Sequence, residues 1–523
     1  MSDRRTALIS CYDKTGLEKL ARTLVEAGWR IVSTGGTADY LRTKAQVEVI
    51  EVSEITGHPS LMDGRVKTLH PAIHAGVLAR RHNDQDMQQL QEFGYEPIDM
   101  VVVNLYPFEE VAAGGAEESE VLENIDIGGP TLLRAAAKNY PSVTCLSSSD
   151  DYTQISAILA GGEEIERSWR KQLAARAFAH VSRYDSLIAN YLGQDSGGIL
   201  AYPEELTLPL KRQMKLRYGE NPHQSAAFYS LSEPGPTSLV HAEHLSGPDL
   251  SYNNLCDADA AINAVSEFAE AAVCALKHAN PCGLAEGESI DTAFRRAYEG
   301  DPVSIFGGVV AVNRAVDEGI VDFISEKQLF LDVLIAPGYS KAAEQRLKQR
   351  EKLKLLKLEG LNPDSRGGQL EEYPDGRFLS GGVLLNSPDN AAIERGGWEV
   401  AGECSPADDV YDDLEFAMKV VKHVKSNAVV VVKGSATLGV GAGQMNRVTA
   451  AELALKQAGE KADGAVLASD GFLPFPDVAE LAAEHNIKAI VQPGGSIRDA
   501  QSIEVADAAG MAMVFTGSRH FRH

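Results

Sequence analysis

Residues 99–108 read DMVVVNLYPF, and this stretch decides the fold class of the chain. From Met100 to Val103 every residue is apolar, without the alternation that marks a strand with one wet face. Such a run is typical of a strand covered on both faces, as the strands of parallel sheets are. Asn104 and Tyr106 follow directly, at the strand end where open α/β sheets bind ligands. The stretch therefore predicts a buried parallel sheet with a ligand site at its edge.

Strand-like and helix-like segments alternate around this run through roughly the first 190 residues. Thr6–Tyr12 (TALISCY) and Trp29–Gly36 (WRIVSTGG) predict strands, and Gly16–Gly28 predicts the helix between them. The pattern favours an α/β layer built on a parallel sheet. Gly193–Pro209 carries glycines and prolines with little periodicity, so we interpret it as a linker between domains.

Beyond the linker the α/β pattern resumes in two passes, which suggests a duplicated unit although no clear sequence repeat proves it. Between them, 344–360 (EQRLKQREKLKLLKLEG) is strongly charged and amphipathic and predicts a solvated helix. The strand-like stretches are VCALKHANPCG (273–283) and DPVSIFGGVVAVN (301–313) in the first pass, then AVVVVKGSATLGVGAGQ (428–444), GAVLASDGF (464–472) and KAIVQPGGS (488–496) in the second.

Composition excludes several classes of protein. The 523 residues carry a formal net charge of -25, which argues against a nucleic-acid partner. No apolar run reaches the roughly 18 residues that a membrane helix needs, and the start MSDRRTALIS lacks the apolar core of a signal peptide. The six cysteines show no paired spacing, which favours free thiols in a reducing compartment. We expect a cytoplasmic protein of more than one domain, without a membrane partner.

Ile31–Thr37 (IVSTGGT) leads from a predicted strand into a predicted helix. Gly35 and Gly36 allow backbone N–H groups to approach a ligand, and the helix start adds a positive dipole, so the stretch predicts a phosphate site. Tight turns of this composition also occur without a ligand, and that alternative stays open.

Two further pairs of residues follow, one of basic residues and one of histidines. Arg65 and Lys67 would face the same side of an extended chain, either towards a ligand or on an exposed strand face. His70 and His74 have a metal-like spacing, but Pro71 intervenes and neither carboxylate nor cysteine joins them, so the pattern argues against zinc.

Asp126–Pro130 (DIGGP) predicts a helix start with Pro130 in the first position. Arg134 and Lys138 follow at a spacing where like charges repel, unless an anion or a carboxylate lies between them. With Tyr106, these residues predict a pocket for an anionic substrate that is handled by acid–base groups. A solvated helix face would also tolerate the pair.

The second half holds further candidates. Leu216–Gln224 (LRYGENPHQ) packs an arginine, a tyrosine and a histidine into a turn-rich segment, which suits a planar anionic ligand or an ordinary loop. Gly439–Arg447 (GVGAGQMNR) is rich in glycine but lacks the G-x-G-x-x-G spacing of dinucleotide sites. Gly494–Ser496 is a further glycine turn, and the basic terminus Gly517–His523 is either a free tail or docked.

Lys277 and His278 stand side by side after the apolar strand AAVCAL. At a strand end an imidazole can move a proton near neutral pH, and a neighbouring ammonium can stabilise developing negative charge. The pair suits the attack of a weak amine on an acyl group. A solvated strand end is the alternative.

In this order, the motifs resemble those of the bifunctional purine-biosynthesis enzymes that act as 5-aminoimidazole-4-carboxamide ribonucleotide (AICAR) formyltransferase and inosine monophosphate (IMP) cyclohydrolase. The resemblance covers nearly the whole chain. The matching stretches are DKTG (13–16), STGGT (33–37), RVKTLHP (65–71), NLYPF (104–108), DIGGPTLLRAAAKN (126–139), LRYGENPHQ (216–224), KHANPCG (277–283), GAGQMNR (441–447) and SDGFLPFPD (469–477).

The resemblance implies an α/β fold with a methylglyoxal-synthase-like parallel-sheet domain at residues 1–199. It implies two cytidine-deaminase-like α/β units at 200–523, which would form the formyltransferase. The first domain would be the cyclohydrolase. The chain would transfer formyl from 10-formyltetrahydrofolate to the 5-amino group of AICAR and close formyl-AICAR to IMP, with no metal required. A homodimer with a shared transferase site is also implied.

The resemblance further implies the site residues. Ring closure would use Lys67, Tyr106, Asp126 and Lys138, and formyl transfer would use His278 as the base with Lys277 as its partner. Substrate would be bound by Asp13, Lys14, Thr15, Ser33, Thr34, Gly35, Gly36, Thr37, Arg65, Thr68, Asn104, Gly128, Arg217, Tyr218, His223, Gly307, Asp332, Asn427, Arg447, Arg519 and Phe521. Reduced folate would be bound by Asn446, Phe472, Asp477, Gly494 and Gly495. The chain departs from the family pattern at Tyr12 and in its Arg522-His523 ending.

Two other functions stay open at this stage. Pro281-Cys282 is similar to the P-C of zinc deaminases, but Ala285 stands where a second cysteine belongs and Asn280 where the glutamate belongs. The first domain could instead be a nucleotide sensor. The proton-handling residues that the resemblance places there weigh against this, because a sensor needs a phosphate site only.

Overall fold

The computed structural model describes residues 4–194, 197–232, 234–365 and 374–523. Its backbone contacts divide the chain into two compact units. The first runs to Lys211 and takes in a short stretch that starts at Leu231, and the second comprises Arg212–Ser230 and Pro234–His523. Within the described ranges, no helix is long and apolar enough to cross a membrane.

The first unit alternates strands and helices. Its elements are β1 (Thr6–Ser10), α1 (Leu17–Glu26), β2 (Arg30–Ser33), α2 (Gly35–Tyr40), β3 (Ile50–Glu51), α3 (Val52–Thr56), α4 (Pro71–Leu78), α5 (Asp84–Glu92), β4 (Met100–Val103), α6 (Phe108–Ala113), α7 (Glu118–Glu123), α8 (Gly128–Lys138), β5 (Thr144–Leu146), α9 (Tyr152–Ala160) and α10 (Arg167–Gly193).

The five strands form a parallel sheet in the order β3-β2-β1-β4-β5. Met100–Val103 is its fourth strand in that order, and its side chains enter the cores on both faces of the sheet. The strand order reverses between β1 and β4, and ligands of open α/β sheets bind beside such a reversal, at the carboxyl ends of the strands. The first prediction, a buried parallel sheet, is confirmed.

The helix after Asp126 begins two residues earlier than predicted. It starts at Gly128, so Pro130 occupies the third position rather than the first. The first four N–H groups of a helix have no partner inside the helix, so proline costs nothing there either.

The predicted linker, Gly193–Pro209, begins where α10 ends. Residues 195 and 196 lie outside the described residues. Further on, the Pro209 carbonyl accepts a hydrogen bond from Arg183 Nε of α10 at 3.2 Å, which attaches the end of this segment to the first unit.

The second unit contains two six-stranded sheets and two small hairpins. Its elements are β6 (Lys211–Leu216), β7 (Ala226–Ser230), β8 (Glu243–Ser246), α11 (Tyr252–Ser266), β9 (Ala271–Lys277), β10 (Asn280–Gly287), α12 (Ile290–Gly300), β11 (Val309–Val312), α13 (Glu318–Glu326), β12 (Val333–Ala336), α14 (Lys341–Lys348), β13 (Lys354–Lys357), β14 (Asp375–Leu379), β15 (Gly382–Asn386), β16 (Glu399–Val400), α15 (Asp408–Val421), β17 (Val429–Val432), β18 (Thr437–Gly441), α16 (Arg447–Ala458), β19 (Val466–Ser469), α17 (Asp477–Glu484), β20 (Ala489–Gln492), α18 (Asp499–Ala508) and β21 (Ala512–Phe515).

The two large sheets have the same topology. Their orders are β10-β9-β11-β12-β13-β8 and β18-β17-β19-β20-β21-β16, so each strand of the first has its counterpart eight strands later. The pairs also run in matching directions, antiparallel at both edges and parallel in the middle. The helices α11 and α15 contribute to the core that the two sheets share. The second unit is therefore a structural duplication, as the two sequence passes suggested.

The prediction of one solvated helix over 344–360 is wrong in its second half. α14 ends at Lys348, and Lys354–Lys357 is the strand β13, with Leu355 and Leu356 fully buried. The lysine at the start of this strand can be buried because Asp332 accepts a hydrogen bond from its ammonium at 2.6 Å. The charge that indicated a solvated helix is thus compensated inside the fold.

Candidate active sites

The first candidate site lies at the carboxyl edge of the parallel sheet, where β1 and β4 end side by side. Asn104 follows β4, and its Oδ1 accepts hydrogen bonds from the backbone N–H groups of Tyr12 and Asp13 at 2.6 and 3.0 Å. Its Nδ2 donates to the Asp13 carbonyl at 2.8 Å. Asp13 in turn accepts from the hydroxyl and the N–H of Thr15. Asn104 therefore shapes the loop after β1.

Two predicted phosphate ligands use their hydroxyls inside the protein. Ser33 Oγ donates to the Ile9 carbonyl at 2.7 Å, and Thr37 Oγ1 donates to the Cys11 carbonyl at 2.9 Å. The Lys14 ammonium donates to the Cys11 and Tyr12 carbonyls, and burial lowers its pKa. These three side chains therefore stabilise the loops around the Thr34–Gly36 turn.

Lys67 lies over this turn. Its ammonium is 3.5 Å from the position that a Cβ on Gly35 would take, and its stem fills the space that a Cβ on Gly64 would need. Thr34, Gly35 and Lys67 line one cavity of about 290 Å³. The segment is not extended as the sequence suggested, because Arg65 is helical, and Arg65 forms an ion pair with Glu123. Arg65 and Lys67 therefore do not act as two cations on one strand face.

Tyr106, which follows β4, and Asp126 form a second cluster. Burial raises the pKa of the Tyr106 phenol, and the nearby Asp126 raises it further. Burial also raises the pKa of Asp126, against hydrogen bonds from backbone N–H groups that include Gly129 N at 2.8 Å. Tyr184 Oη accepts from Asp126 N at 2.8 Å and so fixes the loop. Two groups with perturbed acidity at a ligand-binding edge indicate proton handling.

Close packing joins the neighbouring segments. A Cβ on Gly128 would lie 3.2 Å from Thr68 Oγ1, and one on Gly129 would clash with Asp126 and Leu105. Tyr12 is exposed and meets Tyr106 edge-on at 5.8 Å between ring centroids. The unusual tyrosine before Asp13 therefore adds an aromatic wall to the edge.

Lys138 is not brought to this cluster within one chain. It ends α8, whose first residue is Gly128, so the two are about 15 Å apart along the helix axis. Lys138 instead lines a groove with His74 and Lys171. The catalytic role that the resemblance implies for Lys138 stays a prediction.

The second candidate site starts at the Lys277–Asn280 turn between β9 and β10. The Lys277 ammonium donates to the Gly307 carbonyl at 2.8 Å and to the Phe306 carbonyl at 3.3 Å. His278 and the next residue, Ala279, have φ values of 50° and 59°. Both lie in the left-handed region, which costs a residue with a side chain about 1–2 kcal/mol.

The matching turn of the second sheet has the same backbone conformation with different residues. There Lys433 is followed by Gly434 and Ser435, with φ values of 58° and 55°. The duplicated fold thus places glycine where the first copy places His278. A histidine kept in a position that favours glycine indicates function.

Asp257 of α11 holds the His278 turn and was missed from the sequence. Its Oδ1 accepts a hydrogen bond from Ala279 N at 2.8 Å. Asp413 of α15 does the same for the twin turn, where it accepts from Gly434 and Ser435. Burial raises the pKa of Asp257, while the Ala279 N–H and the cations of His278 and Lys277 oppose the rise. Each aspartate precedes the lysine of its turn by the same number of residues. This signal in the sequence can be recognised only once the duplication is known.

Other predicted residues lie along the same edge of this sheet. Gly307 (φ 68°) precedes β11, and a Cβ there would lie 3.4 Å from the Lys277 ammonium. Asp332 precedes β12 and is held by Lys354 and by Asn254 Nδ2.

The loop Arg217–Gln224 connects β6 to β7. The guanidinium of Arg217 lies 5.1 Å from the Tyr218 ring centroid. The loop meets α11 through Asn253 Nδ2, which donates to the Glu220 carbonyl at 3.4 Å. His223 belongs to the same loop, so all three predicted residues stand on one short segment next to the helix that carries Asp257.

A third group of predicted residues converges on one edge of the second sheet. Arg447 is buried and donates to Asn427 Oδ1 and Ser469 Oγ at 2.9 Å each. It also forms an ion pair with the fully buried Asp470, a partner that sequence reasoning missed. Asn446 caps α16 by accepting from Thr449 N at 2.9 Å. These contacts fix the guanidinium in one orientation.

Exposed aromatic rings border this arginine. A Cβ on Gly471 would lie 2.6 Å from Arg447 Nη2 and 2.7 Å from the Phe521 ring, so the three meet closely. Arg519 also belongs to the C-terminal tail, and its guanidinium lies 4.7 Å from the Phe521 ring centroid. The remaining predicted residues follow the neighbouring strand ends, and they are Phe472, Asp477, Gly494 and Gly495.

The C-terminal tail is docked, and it links the two edges of the second unit. Ser426 N donates to the Arg522 carbonyl at 2.9 Å, and the Lys425 ammonium donates to the His523 carbonyl at 2.6 Å. Lys425 N also donates to Asn280 Oδ1, in the Lys277–Asn280 turn of the first sheet, at 2.9 Å. Lys277, His278 and the arginine–aromatic cluster therefore border one region of the second unit.

A metal centre was argued against from the sequence. Among the described residues, no group of three or more His, Cys, Asp or Glu side chains is placed to hold a metal ion. That metal-free chemistry is sufficient stays a prediction.

Comparison with known proteins identifies the family. The family model described as AICARFT/IMPCHase bienzyme matches residues 136–457, and the one described as MGS-like domain matches residues 16–131. The chain is 47% identical over 521 residues to proteins called "Bifunctional purine biosynthesis protein PurH" from Bacillus cereus (strain AH187), Bacillus thuringiensis subsp. konkukian (strain 97-27) and Bacillus anthracis. Each alignment covers 99% of this chain and 100% of the relative. A solved structure titled "Crystal structure of ForH" aligns with a TM-score of 0.33 at 35% identity, over 36% of this chain and 100% of that one.

The match to the MGS-like model and the parallel first sheet confirm the predicted fold of the N-terminal region. The two mixed sheets confirm the α/β class of the remainder. The recognition from ordered motifs is also confirmed. The chain belongs to the AICARFT/IMPCHase bienzymes, which combine AICAR formyltransferase with IMP cyclohydrolase in purine biosynthesis.

Proposed function

We propose that the two reactions of this bienzyme are divided between the two units. The second unit transfers formyl from 10-formyltetrahydrofolate to the 5-amino group of AICAR, at the Lys277–His278 turn. The first unit closes formyl-AICAR to IMP at the carboxyl edge of its parallel sheet. The boundaries predicted from the sequence, 1–199 and 200–523, are part of this proposal.

The observation that carries the transfer site is the left-handed conformation of His278, where the duplicated turn has Gly434. The AICAR amine is conjugated to an imidazole ring and is a weak nucleophile. His278 takes a proton from this amine as its nitrogen attacks the formyl carbon, and Lys277 stabilises the oxyanion that forms. The bond from the formyl carbon to the folate nitrogen then breaks, and that nitrogen receives the proton.

Ring closure is supported by the Tyr106–Asp126 pair and by Lys67. The carboxamide nitrogen of formyl-AICAR attacks the formyl carbon, and the formyl oxygen leaves as water. Asp126 accepts one proton from the attacking carboxamide nitrogen, and the formamide nitrogen loses its proton as its double bond to the former formyl carbon forms. The two protons reach the departing oxygen through Tyr106 and Lys67. The attack is intramolecular, so positioning supplies much of the rate. The Thr34–Gly36 backbone and Lys67 offer the donors that the ribonucleotide phosphate needs.

Binding of reduced folate is supported by the exposed rings of Phe472 and Phe521 beside the fixed guanidinium of Arg447. Aromatic faces suit a flat pteridine, and an arginine held by several partners recognises a planar group without losing much side-chain freedom. AICAR is the second ligand of this region, through the residues of the first-sheet edge.

A homodimer with a shared transferase site is the proposed assembly. The hairpin β14–β15 exposes Phe378 (83%) and Leu384 (57%), and large exposed apolar side chains mark interaction sites. Mixing a Lys277→Ala chain with a chain damaged at a transferase residue that the other subunit contributes should restore some transfer if each site takes residues from both copies. Failure of this and similar mixtures, once hybrid dimers have been demonstrated, contradicts a shared site.

We also propose a cytoplasmic location without nucleic-acid partners. All six cysteines are free thiols in the structure, which suits a reducing compartment. The net charge of -25 disfavours binding to a polyanion.

Two half-reactions test the assignment. AICAR with 10-formyltetrahydrofolate measures transfer, and supplied formyl-AICAR measures ring closure. We expect His278→Ala to lose transfer by about 10²–10⁴-fold and to keep ring closure, whereas Asp126→Asn does the reverse. Lys138→Ala in the same assays tests the role that the resemblance implies for it. Transfer near the wild-type rate in His278→Ala would remove the turn from the mechanism.

A further inference from the structure

Asp332 is held by both of its carboxylate oxygens at the edge of the first sheet. The Lys354 ammonium donates to Oδ1 at 2.6 Å, and Asn254 Nδ2 donates to Oδ2 at 2.5 Å. Asn254 and Lys354 are buried, whereas 33% of the Asp332 side chain is exposed. An ionised carboxylate has about four lone-pair sites, so Asp332 can still accept hydrogen bonds from a ligand at this edge.

The second sheet repeats this backbone with different side chains. Lys354 N donates to the Asp332 carbonyl at 3.0 Å. Ala512 N donates to the Lys488 carbonyl at 3.0 Å as well. In each case the donor is the first residue of a strand, β13 or β21, and the acceptor directly precedes the neighbouring strand, β12 or β20. Lys488 therefore stands in the place of Asp332, and an alanine in that of Lys354.

The helix α11 differs from its counterpart α15 in the same way. Asn254 lies about one turn before Asp257, so both residues lie on one face of α11. At the same distance before Asp413, which holds the twin turn, α15 carries Val410. The second copy thus keeps the aspartate that holds its turn but lacks the amide, the buried ammonium and the carboxylate. Burying polar groups is costly and the same fold forms without these three, so they indicate a function.

We propose that Asn254 and Lys354 are positioning residues for AICAR in the formyl transfer reaction. This inference rests on the proposed function, in which Asp332 binds AICAR at the same edge as His278. The amide and the ammonium hold both oxygens of Asp332, so its free lone pairs meet the donors of AICAR without rearrangement. Because Asn254 and Asp257 share α11, this helix also sets the position of the bound substrate relative to His278.

Asn254→Asp tests the contact with little change in shape. The new side chain keeps the oxygen that accepts from Ser251 N at the start of α11, but a second carboxylate oxygen replaces the donor to Asp332. We expect KM for AICAR in the transfer assay to rise about tenfold or more, with kcat close to wild type, as on loss of uniform binding. Lys354→Met removes the ammonium but keeps the stem and should give the same result. Ring closure of supplied formyl-AICAR should not change.

Ser251→Ala is the matched control. It removes the hydroxyl that accepts from Asn254 N, so it weakens the same helix start without removing a contact of Asp332. It should lower the melting temperature and leave KM for AICAR unchanged. The Asp332→Ala chain supplies a second control. If Asn254 acts through Asp332, Asn254→Asp should raise KM no further in that chain.

An unchanged KM for AICAR in either Asn254→Asp or Lys354→Met would overturn the inference. So would an equal rise in Ser251→Ala, or a further rise when Asn254→Asp is added to Asp332→Ala. Transfer near the wild-type rate in His278→Ala would instead contradict the proposed function. The two failures are therefore distinguishable.

Discussion

His278 combines a proton-transfer group with a backbone conformation that favours glycine. Its counterpart Gly434 has nearly the same φ without this conflict. The strain at His278 is therefore local, and the fold itself does not require it. The glycine in the equivalent position supports the proposal that His278 acts through its ring.

Replacing His278 by glycine should make the protein more stable and less active. We expect His278→Gly to raise the free energy of unfolding by about 1 kcal/mol, because glycine adopts positive φ without steric cost. Formyl transfer should fall by about 10²–10⁴-fold, since the base is lost. Urea denaturation and the transfer assay measure the two effects. A destabilised His278→Gly would show that the imidazole is held by packing rather than kept for chemistry.

Asp257 is a positioning residue for this base. Its Oδ1 accepts from Ala279 N, next to His278, at 2.8 Å, and a charged acceptor holds the turn more firmly than a neutral one. Asp257→Asn keeps an oxygen that can accept from Ala279 N, so the turn should stay folded. We expect kcat for transfer to fall about tenfold, because the imidazole is then oriented less firmly towards the amine.

Asp413→Asn is the matched control for this change. Asp413 makes the same contacts to the twin turn, which has no histidine. Both variants should lose similar stability, and only Asp257→Asn should alter transfer. An unchanged kcat for transfer in Asp257→Asn would leave the aspartate with a purely structural role.

At the scale of elements, close contact between a strand and a helix recurs in both halves of the duplication. A Cβ on Gly283 of β10 would lie 2.0 Å from the Ala297 carbonyl of α12. A Cβ on Gly439 of β18 would lie 2.0 Å from the Ala454 carbonyl of α16. These glycines allow each helix to lie directly on its strand.

Alanine at either position should push the helix away. We expect Gly283→Ala and Gly439→Ala each to destabilise the second unit by about 1–3 kcal/mol, as overpacked cores do. Gly382→Ala in β15 is the control, because nothing lies within 4 Å of a Cβ there. Thermal unfolding measures all three. Equal melting temperatures for the three variants would contradict the packing argument.

The docking of the C-terminal tail depends on a buried cluster around His423. Its Nε2 lies 3.0 Å from Glu267 Oε1, and Arg522 Nη1 lies 3.1 Å from its Nδ1. Lys422 is the other charged neighbour and forms an ion pair with Glu267 at 2.8 Å. Burial raises the pKa of Glu267, but its bonds to His423 and Lys422 outweigh this and bring it to about 2. Burial lowers the pKa of His423.

This cluster predicts how stability depends on pH. The pKa of Glu267 is lower in the folded chain than its ordinary value of 4.5. The stability that Glu267 contributes is therefore complete above pH 4.5 and is lost as the pH falls towards 2. Because burial lowers the pKa of His423, protonation of its ring at acidic pH also favours the unfolded chain. Glu267→Gln should remove about 3 kcal/mol near neutral pH and flatten this part of the curve. Urea midpoints across the acidic range decide it, and parallel curves for both proteins would contradict the prediction.

The elements that the sequence predicted well are those whose signal is local. The apolar run at Met100–Val103 needs no partner to be recognised as a buried strand. The strand β13 was missed because its lysine is compensated by Asp332, which is distant in sequence. Asp257 and Asp470 were missed for the same reason, since only the fold shows which turn or guanidinium they hold. Local patterns predict elements, whereas long-range compensation decides sites.

At the scale of the whole molecule, the two halves of the second unit share their topology but differ in the residues at their edges. The Lys277–Asn280 turn lies at one edge of the first sheet, and the equivalent edge of the second sheet carries Lys433 and Gly434. The arginine–aromatic cluster lies at the opposite edge of the second sheet, where β19, β20 and β21 end. The bond from Lys425 to Asn280 brings the two edges together. In the proposed function one copy supplies the base and the other supplies the surface that binds the folate.

The division into two units predicts that the two reactions can be separated by cutting the chain. The first unit extends to Lys211, and Pro209 is attached to α10 through Arg183, so a fragment of residues 1–211 should be more stable than one of residues 1–199. Both fragments contain the complete Lys67, Tyr106 and Asp126 set, and we expect each to close supplied formyl-AICAR to IMP without any formyl transfer. Cooperative thermal unfolding establishes that each fragment folds, and the ring-closure assay follows. If residues 1–211 fold cooperatively and show no ring closure, the cyclohydrolase site does not reside in the first unit alone, and the assignment of the two reactions to the two units fails.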